Sequence, residues 1–232
     1  MRHPLIVLSM LLLPLNSAHG DVSFGMAVPG LSIGINVPAY PDLVPVPGYP
    51  VYYDPQLDAN YFFYDGLYWV LVGDNWYESS WYNGPWQLVE PDDVPLFLLR
   101  VPVRYYRRPP VYFRGWRADA PPHWGRHWGR GWQQRHGGWQ HSERRPALPP
   151  APLPSYQRQY SGERYPGAPQ QQHSIQAEHY RYQPREPITR QRFRQQGNPG
   201  GTRVEQQMRQ QQNARQDKGQ GNKHEERDHD HR

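Results

Sequence analysis

The chain has 232 residues, no cysteine, 9 Trp, 17 Tyr and 6 Phe, and a formal net charge of +5. The lack of cysteine excludes disulfides, thiolate metal sites and a lipoprotein-type acyl anchor. The net charge hides a separation. Between His3 and Leu99 there is no Lys or Arg against ten acidic residues, whereas residues 100–232 carry 25 basic residues against 11 acidic ones, a net +14. Such asymmetry predicts a tail that reaches for an anionic surface or folds back on its own acidic half.

Residues 1–20 read as a cleavable signal peptide. A basic start precedes an apolar run from Leu5 to Leu15, which Pro14 interrupts, and Ala18 and Gly20 fit the −3 and −1 positions of a cleavage site before Asp21. The run is too short for the roughly 20 residues that span a bilayer. The expectation is therefore an exported protein, periplasmic or associated with the outer envelope, with no transmembrane helix after cleavage.

Residues 22–108 are expected to form an acidic, aromatic-rich β domain. Leu31, Ile33, Ile35 and Val37 alternate with small or polar neighbours, the period of a half-buried strand. Pro38, Pro41, Pro45, Pro47 and Pro50 then predict an extended connector rather than ladder pairing. Asp65-Gly66, between Tyr61-Phe-Phe-Tyr64 and Leu67-Tyr-Trp-Val-Leu-Val72, is a strong signal for a two-residue type I′ hairpin. Further turns at Gly73-Asp74-Asn75 and Asn83-Gly84-Pro85 lead into Trp76-Tyr77-Glu78 and Trp86-Gln-Leu-Val89, which together make an antiparallel meander of four strands.

Alternation puts Leu67, Trp69 and Leu71 on one face and Tyr68, Val70 and Val72 on the other, so both faces carry bulk. A small domain without staples needs such rings, each of which removes about 150–250 Å² from water. Leu96-Phe-Leu-Leu99 reads as a short helix or closing strand. Val101, Val103 and Tyr105 read as an edge strand, and the domain closes near Arg108.

Residues 109–150 form a Trp/Gly/Arg/His-rich segment containing the tandem His123-Trp-Gly-Arg126 and His127-Trp-Gly-Arg130. Gly125, Gly129 and Gly131 argue against a helix there. Residues 151–232 are rich in Gln, Arg and Pro with few aliphatics, a composition that predicts disorder. The fold class expected is thus mostly β: a small antiparallel meander followed by a long, largely disordered basic tail.

Arg offers bidentate phosphate contacts and Trp prefers the membrane interface. Trp124, Arg126, Trp128, Arg130, Trp132 and Arg135 are therefore the candidates for binding an anionic envelope component, either lipopolysaccharide or a membrane surface. Docking of the basic tail on the acidic domain competes with this. Export disfavours nucleic acid as the partner, although Arg and Trp also suit it. A second reading makes the sheet a glycan-binding platform with Trp76, Trp81 and Trp86 as stacking rings.

His123 and His127, spaced i, i+4, with His224, His229 and His231 near the terminus, are weak metal candidates; no cofactor is expected. Catalysis finds no support. There is no Gly-x-Ser-x-Gly, phosphate-binding glycine loop or His-Glu-x-x-His, and no His lies between His19 and His123.

At Trp76-Tyr-Glu-Ser-Ser-Trp-Tyr-Asn-Gly-Pro-Trp86, followed by Val94-Pro95 and Val101-Pro102, the sequence resembles a group of uncharacterised exported proteins of Gram-negative proteobacteria. These share a Tyr/Pro-rich entry, a Trp-Tyr…Gly-Pro-Trp core and a variable basic, Gln-rich tail. The likeness spans residues 25–130. It implies export and a small β-rich domain and carries over no catalytic residue.

Overall fold

The computed structural model describes residues 33–141 and 149–197. Its centre is a six-stranded antiparallel sheet in simple meander order. The strands are β1 (Val44–Pro45), β2 (Val51–Tyr53), β3 (Asn60–Tyr64), β4 (Leu67–Val72), β5 (Asn75–Ser79) and β6 (Gln87–Val89). The expected hairpin joins β3 to β4 with Tyr64 opposite Leu67. Asp65 and Gly66 both hold positive φ, at 48° and 90°, as a type I′ turn requires.

The proline-rich stretch departs from the expected connector by adding β1 and β2. A turn closed by the Val46 N–H on the Val51 carbonyl at 2.8 Å pairs them. Pro45 is tolerated because β1 is an edge strand.

Neither face of the central strands meets water, because every residue of β3 and the first five of β4 are buried. On one face, Phe62, Tyr64, Leu67, Trp69, Leu71 and Trp76 pack under residues 94–139, which we call cover A. This cover contains helices α1 (Leu96–Leu99) and α2 (Trp124–Arg135). On the other face, Tyr61, Phe63, Tyr68, Val70, Tyr82 and Trp86 pack under residues 33–43 and 149–182, cover B. Cover B contains α3 (Pro169–His179), and α4 (Pro187–Gly197) then closes the hairpin end. Bulk on both faces of β4 is therefore a demand for two covers, and the flanking chain supplies them.

Several expectations are corrected. Ile35 and Val37 are buried as their alternation implied, but residues 33–43 form no strand and lie flat on the sheet. Leu31 falls outside the described residues. Val103–Tyr105 is a 3-10 turn and not an edge strand, because it folds across the sheet face and bonds to Ala118 and Ala120 carbonyls. The core does not close at Arg108, since Phe113, Trp124, Trp132 and Trp139 belong to the same cluster as Trp69.

The glycines of 124–135 do not prevent a helix. They leave a break at Gly129, at φ 88°, within α2, and the flanking indoles hold both halves in place. Residues 151–197, expected to be disordered, carry two helices and cover the second face. The remainder of the expected tail, 198–232, lies outside the described residues.

Candidate functional site

Cover A is the strongly charged region of the molecule. Residues 100–141 hold nine arginines and one acid, Asp119. Opposite charge on the sheet side accounts for part of its docking. Arg108 meets Asp58 at 3.0 Å, Arg135 meets Asp92 at 2.7 Å, and the His127 ring lies 3.8 Å from Asp74. Asn60 adds a neutral clamp, donating to the Arg108 carbonyl at 2.6 Å and accepting from the Arg108 N–H at 2.8 Å. Exposed ion pairs of this kind each contribute little.

The stronger anchors of α2 are its indoles. Trp124 is fully buried and its N–H donates to the Leu99 carbonyl at 3.0 Å; Trp132 is buried and donates to the Pro91 carbonyl at 3.1 Å. Trp128 lies between them, 4.7 Å from Trp124 in a stacked pair and 5.0 Å from Trp132 edge-on.

The six residues expected to engage an anionic surface are thus split. Trp124 and Trp132 are core and Trp128 is half-buried, so they fix the helix and do not present indoles to a bilayer. Arg135 is occupied by Asp92, bonded to both carboxylate oxygens. Arg126 and Arg130 remain exposed and have no acidic partner among the described residues.

Two arginines that sequence reasoning did not single out share this state, Arg107 and Arg114, and Arg104 is exposed within the field of Asp119. Tyr112 stacked on His127 at 3.8 Å and Trp116 stacked on His123 at 5.0 Å bring the 111–116 turn against the start of α2. Arg114 and Arg126 therefore occupy neighbouring segments. The density of arginine in 100–117 was the available signal.

The rings proposed for glycan stacking are buried. Trp76, Trp81 and Trp86 are 1, 0 and 7% exposed, so none offers a face to a sugar. Burial is the reason they are there: Trp76 packs beneath Trp124, and Trp81 donates to the Gln172 carbonyl at 3.2 Å. His123 and His127 stack on different aromatic rings and point to no shared centre. Among the described residues no group of three or more His, Asp or Glu is placed to hold a metal. His224, His229 and His231 lie outside the described residues.

Two of the three buried acids, Asp65 and Glu78, hold positions that the sequence reading did not foresee. Asp65, in the hairpin turn, accepts from the Tyr182 hydroxyl at 2.6 Å, from the Arg185 and Glu186 N–H groups at 2.9 Å, and from the Thr189 hydroxyl. It caps the start of α4 from across the molecule, as an anion at a helix N-terminus does.

Glu78, on β5 between Trp69 and Gln87 of the neighbouring strands, is fully buried, with the Gln196 amide and Arg192 as the groups that favour its charged form. Burial pushes its carboxyl up to about 8, against the opposing pull of Arg192, whose guanidinium lies 4.0 Å away. Arg192 is itself ion-paired to Asp93. Desolvation therefore favours the neutral form of Glu78 beneath α4.

No family model, curated protein or solved structure matches the chain. Among the described residues no helix is long and apolar enough to cross a membrane.

Proposed function

We propose that this is a non-enzymatic, exported cell-envelope protein in which cover A, an arginine-rich surface held rigid on the aromatic sheet, binds an anionic envelope component. One observation carries the reading: nine arginines against one acid in 100–141, four of them, Arg107, Arg114, Arg126 and Arg130, exposed and without an acidic partner among the described residues. Arg126 and Arg130 are the central contacts, and Arg104, Arg107 and Arg114 extend the surface. The guanidinium fork matches phosphate oxygens bidentately.

The buried indoles of α2 act as anchors rather than as membrane probes. They hold Arg126 and Arg130 on a fixed element, so fewer degrees of freedom are lost on binding. The apolar leader and the resemblance of residues 25–130 to exported proteobacterial proteins support export.

The test is sedimentation of the full chain with phosphatidylglycerol vesicles, with phosphatidylcholine vesicles and with lipopolysaccharide. The protein should pellet with the phosphate-rich anionic partners, stay in solution with neutral vesicles, and be released at about 0.5 M salt. Each juxtamembrane arginine contributes about 1 kcal/mol, so Arg126→Glu with Arg130→Glu should weaken pelleting at least about tenfold. Pelleting that ignores salt and both reversals, or no pelleting at all, overturns the proposal. Preference for lipopolysaccharide over phosphatidylglycerol, or the reverse, identifies the source of phosphate.

A further inference from the structure

Cover B carries two open cavities that meet at one ring. The first, ≈ 320 Å³, is lined by Asn36, Tyr82, Asn83 and Tyr165 with glycines of the 162–167 turn. The second, ≈ 490 Å³, is lined by Gln159, Tyr160, Glu163, Arg164, Tyr165 and Gln171. Tyr165 lines both, and the second is an open groove along the 155–167 turns. Each volume falls in the range of small-molecule sites, about 300–1,000 Å³.

The aromatic lining is locked before any ligand arrives. The Tyr82 hydroxyl donates to the Tyr160 carbonyl at 2.5 Å. The Tyr165 hydroxyl donates to the Gly84 carbonyl at 2.5 Å and accepts from the Asn83 N–H at 3.1 Å. Trp81 supports both rings edge-on from below, at 5.5 Å from Tyr160 and 5.8 Å from Tyr165. Tyr165 is thus held by its hydroxyl, and it and Tyr160, both only partly buried, line the groove.

The rim differs from the lining. Gln159, Glu163, Arg164 and Gln171 are exposed, and none has a side-chain partner among the described residues. Planar amides present a donor and an acceptor side by side, the pattern that pairs with adjacent hydroxyls. The single acid and single base of the rim cancel, so the groove has no net charge to select an ion. Fixed rings flanked by free amides and no net charge match the alternating C–H faces and hydroxyl edges of a sugar chain.

We propose that the groove centred on Tyr165 binds a neutral oligosaccharide. The site is separate from the arginines of cover A, and it moves glycan recognition from the buried Trp76, Trp81 and Trp86 to tyrosines and glutamines of cover B.

The experiment titrates the full chain with cellotriose, maltotriose and chitotriose, followed by indole fluorescence and calorimetry, with tetraglycine as the peptide comparison. Trp81, in contact with Tyr160 and Tyr165, supplies the local signal. At least one trisaccharide should bind saturably, with affinity unchanged at about 0.5 M salt. Gln159→Ala with Gln171→Ala, both at exposed positions, should weaken it about tenfold, the effect of one or two lost hydrogen bonds. Absence of saturable binding by all three sugars, full affinity in the double variant, or tighter binding of the peptide overturns the proposal. Salt-sensitive vesicle binding by cover A is independent of each of these outcomes.

Discussion

The two covers of the sheet solve the same problem with different chemistry. Cover A buries hydrocarbon and indole: Leu98, Leu99, Val101, Phe113, Trp124, Trp132 and Trp139 press on Phe62, Trp69 and Trp76. Cover B buries amides and phenols. Gln157, fully buried, accepts from the Tyr68 hydroxyl at 3.1 Å and the Tyr82 N–H at 3.2 Å, and donates to the Ser80 carbonyl at 2.9 Å. Gln172 donates to the Gly84 and Pro166 carbonyls at 3.0 and 2.8 Å, and the buried residues of α3 are both glutamines.

Burial raises the Tyr68 hydroxyl well above its ordinary value, so it stays a donor throughout the accessible pH range. Apolar contact is non-directional and tolerates small shifts, whereas an amide network works only when every partner is met. Cover A is therefore held by area and cover B by hydrogen-bond geometry.

The largest test of that contrast is Trp124→Ala. It should cost about 3–5 kcal/mol in chemical denaturation, from the cavity and the unpaired Leu99 carbonyl. Amide exchange should rise in 94–139 and spare 149–182. Equal loss of protection in both covers would show that the two faces are not separable.

Glu78 links the faces through α4 and gives the next effect. Its raised value favours the fold while the carboxyl is neutral. That contribution is complete below the ordinary 4.5 and is lost as pH rises through about 8. Wild-type stability should fall by a few kcal/mol across that window, while Glu78→Gln stays level there. The two curves coincide near pH 4 and separate most above 8; parallel curves would refute the neutral acid.

A smaller cost, about 2–3 kcal/mol, is expected for Gln157→Leu, which keeps bulk but strands a hydroxyl, an N–H and a carbonyl. Here exchange should rise in 149–182 and spare 94–139, the mirror image of Trp124→Ala. The smallest effect on folding belongs to Arg126→Ser with Arg130→Ser. Thermal unfolding should show a change within about 0.5 kcal/mol, since neither side chain has an acidic partner among the described residues, while binding to anionic vesicles drops.

Legibility in the sequence followed the same divide. The β3–β4 hairpin was plain because Asp65-Gly66 is a local instruction: only residues that accept positive φ fit a type I′ turn. The demand for two covers was also visible, in the bulk at both Trp69 and Tyr68. Residues 151–197 were misread because their composition lacks the apolar stripe that marks a packed helix. Gln172 is buried in α3 because its amide donates to the Gly84 and Pro166 carbonyls, partners that exist only in the folded chain. Arg126 and Arg130 are exposed, whereas Trp124, Trp128 and Trp132, alike in sequence, divide into buried and half-buried rings through a helix that its glycines argued against.

By itself the sequence determined the separation of charge, the hairpin, the order of β3 to β6 and the need to bury both faces, because turn chemistry and alternation act between near neighbours. The tertiary structure decided which segments became the covers, which tryptophans sank into the core, that Asp65 would cap a helix about 120 residues away, and that Glu78 would be desolvated beside Arg192. Those outcomes depend on desolvation and on directional bonds between distant residues. Neither exists until the chain has closed over the sheet.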